Sequence, residues 1–275
     1  MDTVILPIPR PHLCVITAAD IEFKAVTARL EDQVFSVVAG MKQCHGRAGR
    51  NLITVLQSEV GAPDFKSKLT AHLRAVKYEA LLMIGLAGAL MPDLKTGTVI
   101  FYDTCFSFRP ELAAAEDSAS VCDFQAASAL RQLLLAEGLE CVFGAGLTLD
   151  FMVTAATEKL SLGESYGAAA VDMESYDVIR VGMELGLPVV TLRIILDEAE
   201  QKTPDFNLAL NEQGQMNPAK SLLAMTLRPV AAIQFLFSLR AAMKTLRHAT
   251  HLALQAEPQR LRASQALVLA RKLPV

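Results

Sequence analysis

This chain of 275 residues lacks several features that mark common protein classes. It has no tryptophan, and aromatic residues make up only 6% of it. No CxxC pair is present, because the five cysteines lie far apart: Cys14, Cys44, Cys105, Cys122 and Cys141. That scatter argues against a disulfide framework or a zinc site, and it predicts buried, reduced thiols in a cytoplasmic protein. The five histidines show no metal-ligand spacing either, so we expect no metal.

Other absences narrow the class further. No run reaches the roughly 18 apolar residues that a membrane span needs. The first eleven residues have no positively charged start and contain three prolines, so we expect no secretory signal. A net charge of −3 argues against a general nucleic-acid binder. The glycine segment Ile84–Leu90 is neither a dinucleotide fingerprint nor a phosphate loop, and in isolation it predicts a tight strand-to-loop turn.

The apolar fraction is 52%, and its pattern alternates between strands and helices. We predict strands at 12–18, 81–85, 98–102, 140–147, 168–171 and 189–195. We predict helices at 21–30, 47–60, 66–76, 126–135, 175–185, 218–227 and 229–254. Alternation of this kind is typical of an α/β fold, with a mostly parallel central mixed sheet flanked by helices on both faces and extra C-terminal helices. We expect one domain, residues 1–256, and a C-terminal tail, residues 257–275.

Two carboxylates stand at the ends of predicted neighbouring strands. Glu174 lies where one strand gives way to a helix, and Asp197 follows the next strand. Ligands bind at the carboxyl ends of parallel strands, so these residues suit a site that needs a hydrogen-bonding group and a proton donor. The alternative is that Glu174 is an acid at a helix N-terminus and Asp197 a turn residue. Spacing alone leaves both interpretations open.

Three segments together resemble a known family. They are Thr17-Ala18-Ala19-Asp20-Ile21-Glu22, the run from the glycine segment through Pro92-Asp93-Leu94-Lys95-Thr96-Gly97-Thr98-Val99-Ile100, and Val171-Asp172-Met173-Glu174 through Arg193-Ile194-Ile195-Leu196-Asp197. The combination resembles the nucleoside phosphorylase and methylthioadenosine nucleosidase superfamily over about residues 12–200. Asp172 in its D-M-E-S form, Leu86 and the long C-terminal extension look most like the hopanoid-associated phosphorylase branch.

The resemblance implies an enzyme without a cofactor that cleaves the N-glycosidic bond of a purine nucleoside and forms a homo-oligomer. It implies that Asp197 protonates or hydrogen-bonds N7 of the purine and that Glu22 orients the attacking water. By the same resemblance, Glu174 hydrogen-bonds the ribose hydroxyls and Met173 packs under the sugar. The remaining expected substrate-binding residues are Phe151, Met152 and Val153 around the base, and Gly85, Ala87 and Gly88 in the glycine segment.

The nucleophile is left open between water and phosphate. Phosphate-using members of the resembled family carry an arginine in the first loop and Ser or Thr where this chain has Leu86. Both departures favour water. Arg47 and Arg50 are candidate phosphate-binding residues, although they also suit a solvated helix face. The alternatives are therefore a phosphorylase with phosphate as co-substrate and a nucleoside-binding module without catalysis.

The C-terminal region has an unusual charge balance. From Gln213 to Val275 there are nine Lys or Arg residues and one acid, which leaves residues 1–212 with a net charge of −11. Apolar positions such as Ile233, Leu236 and Phe237 accompany these cations. A basic amphipathic helix can lie on an anionic membrane surface. We therefore consider a peripheral membrane contact beside the alternative, a helix that packs on the core and offsets the acidic body.

Overall fold

The computed structural model describes residues 10–58, 64–108, 120–209, 211 and 217–257. The strands in this part are β1 (His12–Thr17), β2 (Glu31–Val38), β3 (Met41–Ala48), β4 (Asn51–Gln57), β5 (Ala80–Ala89), β6 (Val99–Ser107), β7 (Ser120–Val121), β8 (Cys141–Thr148), β9 (Ala170–Asp172) and β10 (Val189–Asp197). The α-helices are α1 (Asp20–Thr27), α2 (Phe65–Ala75), α3 (Phe124–Ala136), α4 (Ala156–Tyr166), α5 (Ser175–Glu184), α6 (Pro218–Leu227) and α7 (Pro229–Gln255).

All the described strands belong to one mixed sheet. Its order is β10-β6-β8-β9-β5-β1-β4-β3-β2, with β7 paired to β6. The strands β4, β1, β5 and β10 are parallel neighbours, and β6, β8 and β9 form a second parallel run. Because β10 also pairs with β5, the strands from β10 through β6, β8 and β9 to β5 close a ring. The predicted α/β class with a mixed sheet is confirmed.

Helices cover both faces of the sheet, as predicted. Apolar residues of α1, α3 and α7 pack into one core, which includes Phe23, Leu130 and Leu246. Residues of α2 and α5 pack into a second core on the other face, with Leu69 and Val178 among its members. Burial of these apolar faces is the main stabilising contribution to such a layered fold.

The predicted helix over residues 47–60 is wrong. Residues 41–48 and 51–57 form the antiparallel hairpin of β3 and β4, joined by a two-residue turn at Gly49 and Arg50. Gly49 has a φ of 58°, a left-handed conformation that favours glycine. The strand after it, Asn-Leu-Ile-Thr-Val-Leu-Gln, contains β-branched residues that suit a pleated, buried surface. The end of the predicted helix, Val60, lies outside the described residues.

The glycine segment also differs from the prediction of a turn. Strand β5 continues through it, because Gly85 pairs with Arg193 and Gly88 with Asp197 in parallel register with β10. Gly88 additionally pairs with Val171 of β9. The segment is therefore a point where three strands meet.

The C-terminal helices divide their apolar residues between core and surface. The second half of α7 buries Met243, Leu246 and Leu254 against the sheet. By contrast, Ile233, Leu236 and Phe237 are 57%, 51% and 73% exposed. Among the described residues no single helix is long and apolar enough to cross a membrane. The pair α6 and α7 meets that test only when combined across a bend of 119°, by length and composition alone.

All five cysteines are buried and free, as predicted from their scatter. Burial raises the pKa of each thiol, that of Cys141 to about 11 and that of Cys122 to about 12. These thiols stay protonated at neutral pH and behave as small apolar core residues.

Candidate active site

A cavity of about 540 Å³ opens where β1, β5, β9 and β10 end or meet. Its polar floor comes from the strand ends, its roof from the C-terminal helices and the segment after β10, and its opposite wall from the loop after β8. The lining residues include Ala18, Ala19, Glu22, Leu86, Ala87, Gly88, Phe151, Met152, Val153, Asp172, Met173, Glu174, Asp197, Phe206, Ser221, Met225, Phe235 and Leu239. Most of the surface is apolar with a few converging carboxylates, which is the usual composition of a small-molecule site.

One side of the floor is held by a buried arginine. Arg193 of β10 is 1% exposed, and its Nη2 donates to Oε2 of Glu174 over 3.2 Å. Its Nε donates to Oδ2 of Asp172 and to Oγ of Ser175, each over 3.1 Å. The two carboxylates compensate the charge that burial would otherwise disfavour, and they raise the pKa of the guanidinium. Glu174 is thereby fixed at the cavity edge.

Asp172 connects this arginine to the start of α5. Its Oδ1 accepts hydrogen bonds from the backbone N–H groups of Glu174 and Ser175 over 3.2 and 3.1 Å. It also accepts one from Oγ1 of Thr148 over 2.8 Å. A carboxylate that accepts from the first N–H groups of a helix stabilises the helix N-terminus. Asp172 therefore holds the backbone at the start of α5, where Glu174 lines the cavity.

Glu22 is held by backbone N–H groups from two sides. Its Oε2 accepts from Ala18 and Ala19 over 2.9 and 3.0 Å, and its Oε1 accepts from Leu86 over 2.8 Å. The side chain is 3% exposed at the start of α1. Such contacts stabilise a charged carboxylate in a buried place. This position thus links the first loop to the glycine segment.

Gly85 makes room for both charged groups. A Cβ at this position would lie 2.5 Å from Nη1 of Arg193 and 2.8 Å from Oε1 of Glu22. Any larger residue would therefore displace one of the two side chains. Glycine is required here by close approach, not by a turn.

Asp197 lies at the end of β10 and is 7% exposed. Its Oδ2 accepts from Nζ of Lys159, a residue of α4 whose side chain is fully buried. Burial raises the pKa of Asp197, and the adjacent ammonium opposes that rise. A Cβ on Gly88 would lie 3.4 and 3.5 Å from the two carboxylate oxygens, so glycine leaves the carboxylate open to the cavity. A carboxyl group with a raised pKa can hold a proton and donate it.

The loop Phe151–Val153 forms the opposite wall. Asn207, in a 3₁₀ turn after β10, fastens it by two hydrogen bonds. Its Oδ1 accepts from the N–H of Met152 over 2.8 Å, and its Nδ2 donates to the Met152 carbonyl over 2.9 Å. Phe151 and Val153 then present apolar surface to the cavity. The face of a planar aromatic group such as a purine can stack on this apolar wall.

The structure brings together most of the residues that we expected at the site. Asp197, Glu22, Glu174, Met173, Phe151, Met152, Val153, Ala87 and Gly88 all line the cavity. Gly85 is not part of the lining and lies behind it, against Arg193 and Glu22.

The two arginines proposed for phosphate are not brought to the cavity of this chain. Arg47 of β3 forms an ion pair with Asp32, and Arg50 lies exposed in the turn of the hairpin. The structure therefore contradicts the expectation that they substitute for the missing first-loop arginine. The alternative, a solvated helix face, is also wrong, because residues 41–48 and 51–57 form a hairpin.

Several lining and supporting residues had no role in the sequence interpretation. Lys159 belongs to α4, for which the sequence analysis predicts no helix, and nothing in the sequence connects it with Asp197. The aromatic and aliphatic roof from Phe206, Met225, Phe235 and Leu239 belongs to segments beyond the resembling region. Arg193 lies inside the R-I-x-x-D motif. A charged residue in the middle of a mostly apolar predicted strand was the signal in the sequence that could have indicated a buried arginine.

Comparison with known proteins agrees with this architecture. The family model of the Phosphorylase superfamily matches residues 12–228. The 5′-methylthioadenosine/S-adenosylhomocysteine nucleosidase of Geobacillus thermodenitrificans is 25% identical over 226 residues, which cover 77% of this chain and 94% of that protein. The DeoD-type purine nucleoside phosphorylase of Pasteurella multocida is 24% identical over 159 residues, which cover 56% of this chain and 67% of that protein.

Among solved structures, the 5′-methylthioadenosine/S-adenosyl homocysteine nucleosidase of Helicobacter pylori superposes with a TM-score of 0.67 at 18% identity. The superposition covers 88% of this chain and 98% of that one, and it shows the shared fold. With the family model matching most of the chain, the protein belongs to the phosphorylase superfamily.

Proposed function

We propose that this protein is an enzyme that cleaves the N-glycosidic bond of a purine nucleoside, with water as the nucleophile. An adenosyl compound is the favoured substrate. The observation that carries the proposal is the convergence of Asp197, Glu174 and Glu22 on one cavity whose opposite wall suits a planar base. The curated nucleosidase relative acts on adenosine derivatives, by its name.

Each carboxylate fits one part of the reaction. Cleavage of an N-ribosidic bond passes through an oxocarbenium-like sugar, as in glycoside hydrolysis. Asp197 donates a proton to N7, so that the electron pair of the breaking C1′–N9 bond enters a neutral purine. Glu174 accepts hydrogen bonds from the ribose hydroxyls and stabilises the developing positive charge. Glu22 orients the attacking water. A pure binding module would have no need of a buried proton donor, which speaks against the non-catalytic alternative.

Water is favoured over phosphate by the charges at the site. Arg193, which contacts the proposed ribose-binding Glu174, is already paired with Asp172 and Glu174. Leu86 presents an apolar side chain at the glycine segment. A phosphate dianion would meet three carboxylates with no free cation from the described part of this chain. Phosphate remains the alternative co-substrate, because the chain is also similar to a DeoD-type purine nucleoside phosphorylase.

The deciding experiment measures adenine release from adenosine and from 5′-methylthioadenosine in phosphate-free buffer. Free ribose, or the free 5′-thio sugar, is the expected second product. Release that requires added phosphate, with accumulation of a sugar 1-phosphate, would establish the phosphorylase alternative. The Asp197→Asn variant in the same assay controls for contaminating nucleosidases.

We further propose that the protein belongs to the hopanoid-associated branch and accepts an apolar, lipid-like 5′ substituent. The support is the apolar roof from Phe206, Met225, Phe235 and Leu239, which continues onto exposed apolar residues of α6 and α7. Among 5′-alkylthioadenosines, kcat/KM should rise with chain length, by up to about fourfold per buried methylene, which corresponds to about 0.8 kcal/mol. Unchanged or falling values would contradict the branch assignment, and Phe235→Ser should flatten the trend.

Two partner proposals rest on exposed apolar surface. Strand β2 exposes Val34, Phe35 and Val37 by 61%, 59% and 68% at an edge of the sheet, and a second copy of the chain would cover it. Exposed apolar residues of the two C-terminal helices form the α6–α7 surface, and basic residues lie next to them. We propose that this surface contacts an anionic membrane on its cytoplasmic side. The α6–α7 surface is defined here as Leu222, Leu223, Leu227, Val230, Ile233, Leu236 and Phe237. The double substitution Phe35→Lys and Val37→Lys in β2 should dissociate the oligomer in sedimentation velocity. A wild-type protein that is monomeric would contradict the proposal that a second copy covers β2.

A further inference from the structure

Lys159 is a fully buried cation that the proposed reaction does not use. It is the fourth residue of α4, and its side chain is 0% exposed. A charged group at such a place is strongly disfavoured unless it is paired and hydrogen-bonded. Natural chains therefore keep a buried lysine where its interactions compensate this cost, and those interactions define its role.

Three acceptors surround the Lys159 ammonium. Its Nζ donates to Oδ2 of Asp197, to the carbonyl of Glu198 over 3.1 Å and to the carbonyl of Gln201 over 3.0 Å. An ammonium has three N–H donors and no acceptor, so this arrangement uses all of them. A neutral amine would leave one acceptor without a donor. The geometry therefore fits the charged form of the side chain.

The three contacts also fix the direction of Asp197. The carbonyls of Glu198 and Gln201 hold the ammonium against the segment that follows β10, and the ammonium in turn holds Oδ2. The other oxygen, Oδ1, accepts no hydrogen bond from the described residues, and Gly88, which lies beside both oxygens, has no side chain to cover them. Lys159 thus divides the carboxyl group into one oxygen bound to the protein and one oxygen available to a substrate.

No other cation of the described residues forms an ion pair with Asp197. Other charged groups around the cavity are compensated elsewhere: Arg193 serves Asp172 and Glu174, Lys24 and Lys42 pair with Asp20 at the mouth, and Lys95 pairs with Glu198. Glu22 is held by backbone N–H groups. A change of charge at Lys159 therefore acts on Asp197 more than on any other group of the site.

We propose that Lys159 is a positioning residue that sets the acid strength of Asp197 and aims its free oxygen at the purine N7. This inference rests on the proposed function, because Asp197 is its general acid. Without Lys159 no cation of the described residues opposes the effect of burial on Asp197, so the carboxyl group holds its proton more tightly and donates it less readily. With Lys159 the same group is a stronger acid in a dry place.

The test compares Lys159→Met, which has similar length and no charge, with Lys159→Arg, which keeps the charge. In Lys159→Met the pH at which kcat falls on the alkaline side should rise by at least about one unit, since a nearby opposite charge shifts a carboxyl group by 1–3 units. The value of kcat at its maximum should fall at least tenfold, within the usual contribution of general-acid catalysis of about 10²–10⁴. KM should change less than kcat. Lys159→Arg should keep the alkaline limit of the wild type.

A direct titration separates this inference from the proposed reaction. The ¹³C carboxyl resonance of Asp197, assigned with Asp197→Asn, should titrate at higher pH in Lys159→Met than in the wild type, whether or not any nucleoside is cleaved. An unchanged titration or an unchanged alkaline limit in folded Lys159→Met overturns the role of Lys159. If Lys159→Met does not fold, Lys159→Arg decides, and a shifted titration in that variant overturns it. A wild type without base release, but with the expected titration shift, overturns the proposed function alone.

Discussion

Arg193 and Glu174 form a buried ion pair, with Nη2 of the arginine 3.2 Å from Oε2 of the glutamate. The pair joins the middle of β10 to the N-terminus of α5. Arg193 also pairs with Asp172, which accepts a hydrogen bond from the first N–H of α5, so one guanidinium fixes both the helix start and the carboxylate beside it. We propose that the position of the ribose contact is therefore set by the core of the sheet and not by a loop.

Glu174→Gln should reduce kcat/KM for ribonucleosides far more than for 2′-deoxynucleosides. The glutamate is proposed to grip the ribose hydroxyls, and a deoxy substrate has already lost one of these contacts. A hydrogen bond to a charged group contributes about 1.5–3 kcal/mol, so a loss of roughly 10- to 100-fold is expected for the ribonucleoside. Steady-state kinetics with adenosine and 2′-deoxyadenosine measure the difference. Equal losses for the two sugars would assign Glu174 a structural role.

Asp197→Asn should remove nearly all turnover and leave the fold intact. The amide can occupy the same place, but it cannot deliver a proton to N7 as a carboxylic acid does. The expected loss is about 10²–10⁴-fold in the rate of base release. Circular dichroism and thermal unfolding check that the protein remains folded. A variant that retains more than about a tenth of the wild-type activity would contradict the general-acid assignment.

The sequence predicts those parts of the fold where one signal dominates. Strands β1 and β10 are mostly apolar, and α5 is followed by Gly186 and Pro188, so their positions follow from composition and from helix-breaking residues. The helix prediction for residues 47–60 failed because a hairpin turn at Gly49 separates two strands, and the polar residues of this segment happen to follow a helical period. Lys159 could not be found, since its partner Asp197 lies 38 residues further along the chain. The apolar side of α7 was only partly predicted, because α7 buries Met243 on one side while Phe237 is exposed.

Stability should fall as the pH is lowered below about 6.5, because a group of histidines is held neutral. Burial lowers the pKa of His12 and His72 from 6.5, and neighbouring histidines lower them further. In the pH range between the lowered values and 6.5 the unfolded chain binds more protons, so unfolding is favoured by up to about 1.4 kcal/mol per pH unit for each histidine. Above 6.5 this destabilisation is absent.

His72→Gln should reduce that dependence. The amide can keep the hydrogen bond to the Tyr78 hydroxyl, which is 2.7 Å from His72 in the wild type, but it does not titrate. Urea unfolding of both proteins between pH 5 and 8 gives the two slopes. A variant with the slope of the wild type would show that His72 contributes nothing to the acid sensitivity.

The protein should co-sediment with anionic vesicles at low salt and be released at high salt, if the α6–α7 surface serves a membrane-derived substrate. Arg240, Lys244 and Arg247 are exposed on α7 and follow Phe237 on the helix at spacings that keep them near one face. Each basic residue near an anionic leaflet contributes about 1 kcal/mol, an attraction that falls off within a Debye length of about 8 Å at physiological salt. Replacing all three with Glu should therefore weaken vesicle binding more than about a hundredfold and leave cleavage of adenosine almost unchanged.

The matched control replaces Lys66, Arg74 and Lys77 with Glu. These residues are exposed in or just after α2 on the other face of the sheet, and this variant should keep most of the binding. If the wild-type protein does not sediment with anionic vesicles at low salt, the membrane proposal is wrong and α7 only packs on the core. Equal losses in the two triple variants would show that net charge, and not this surface, is responsible.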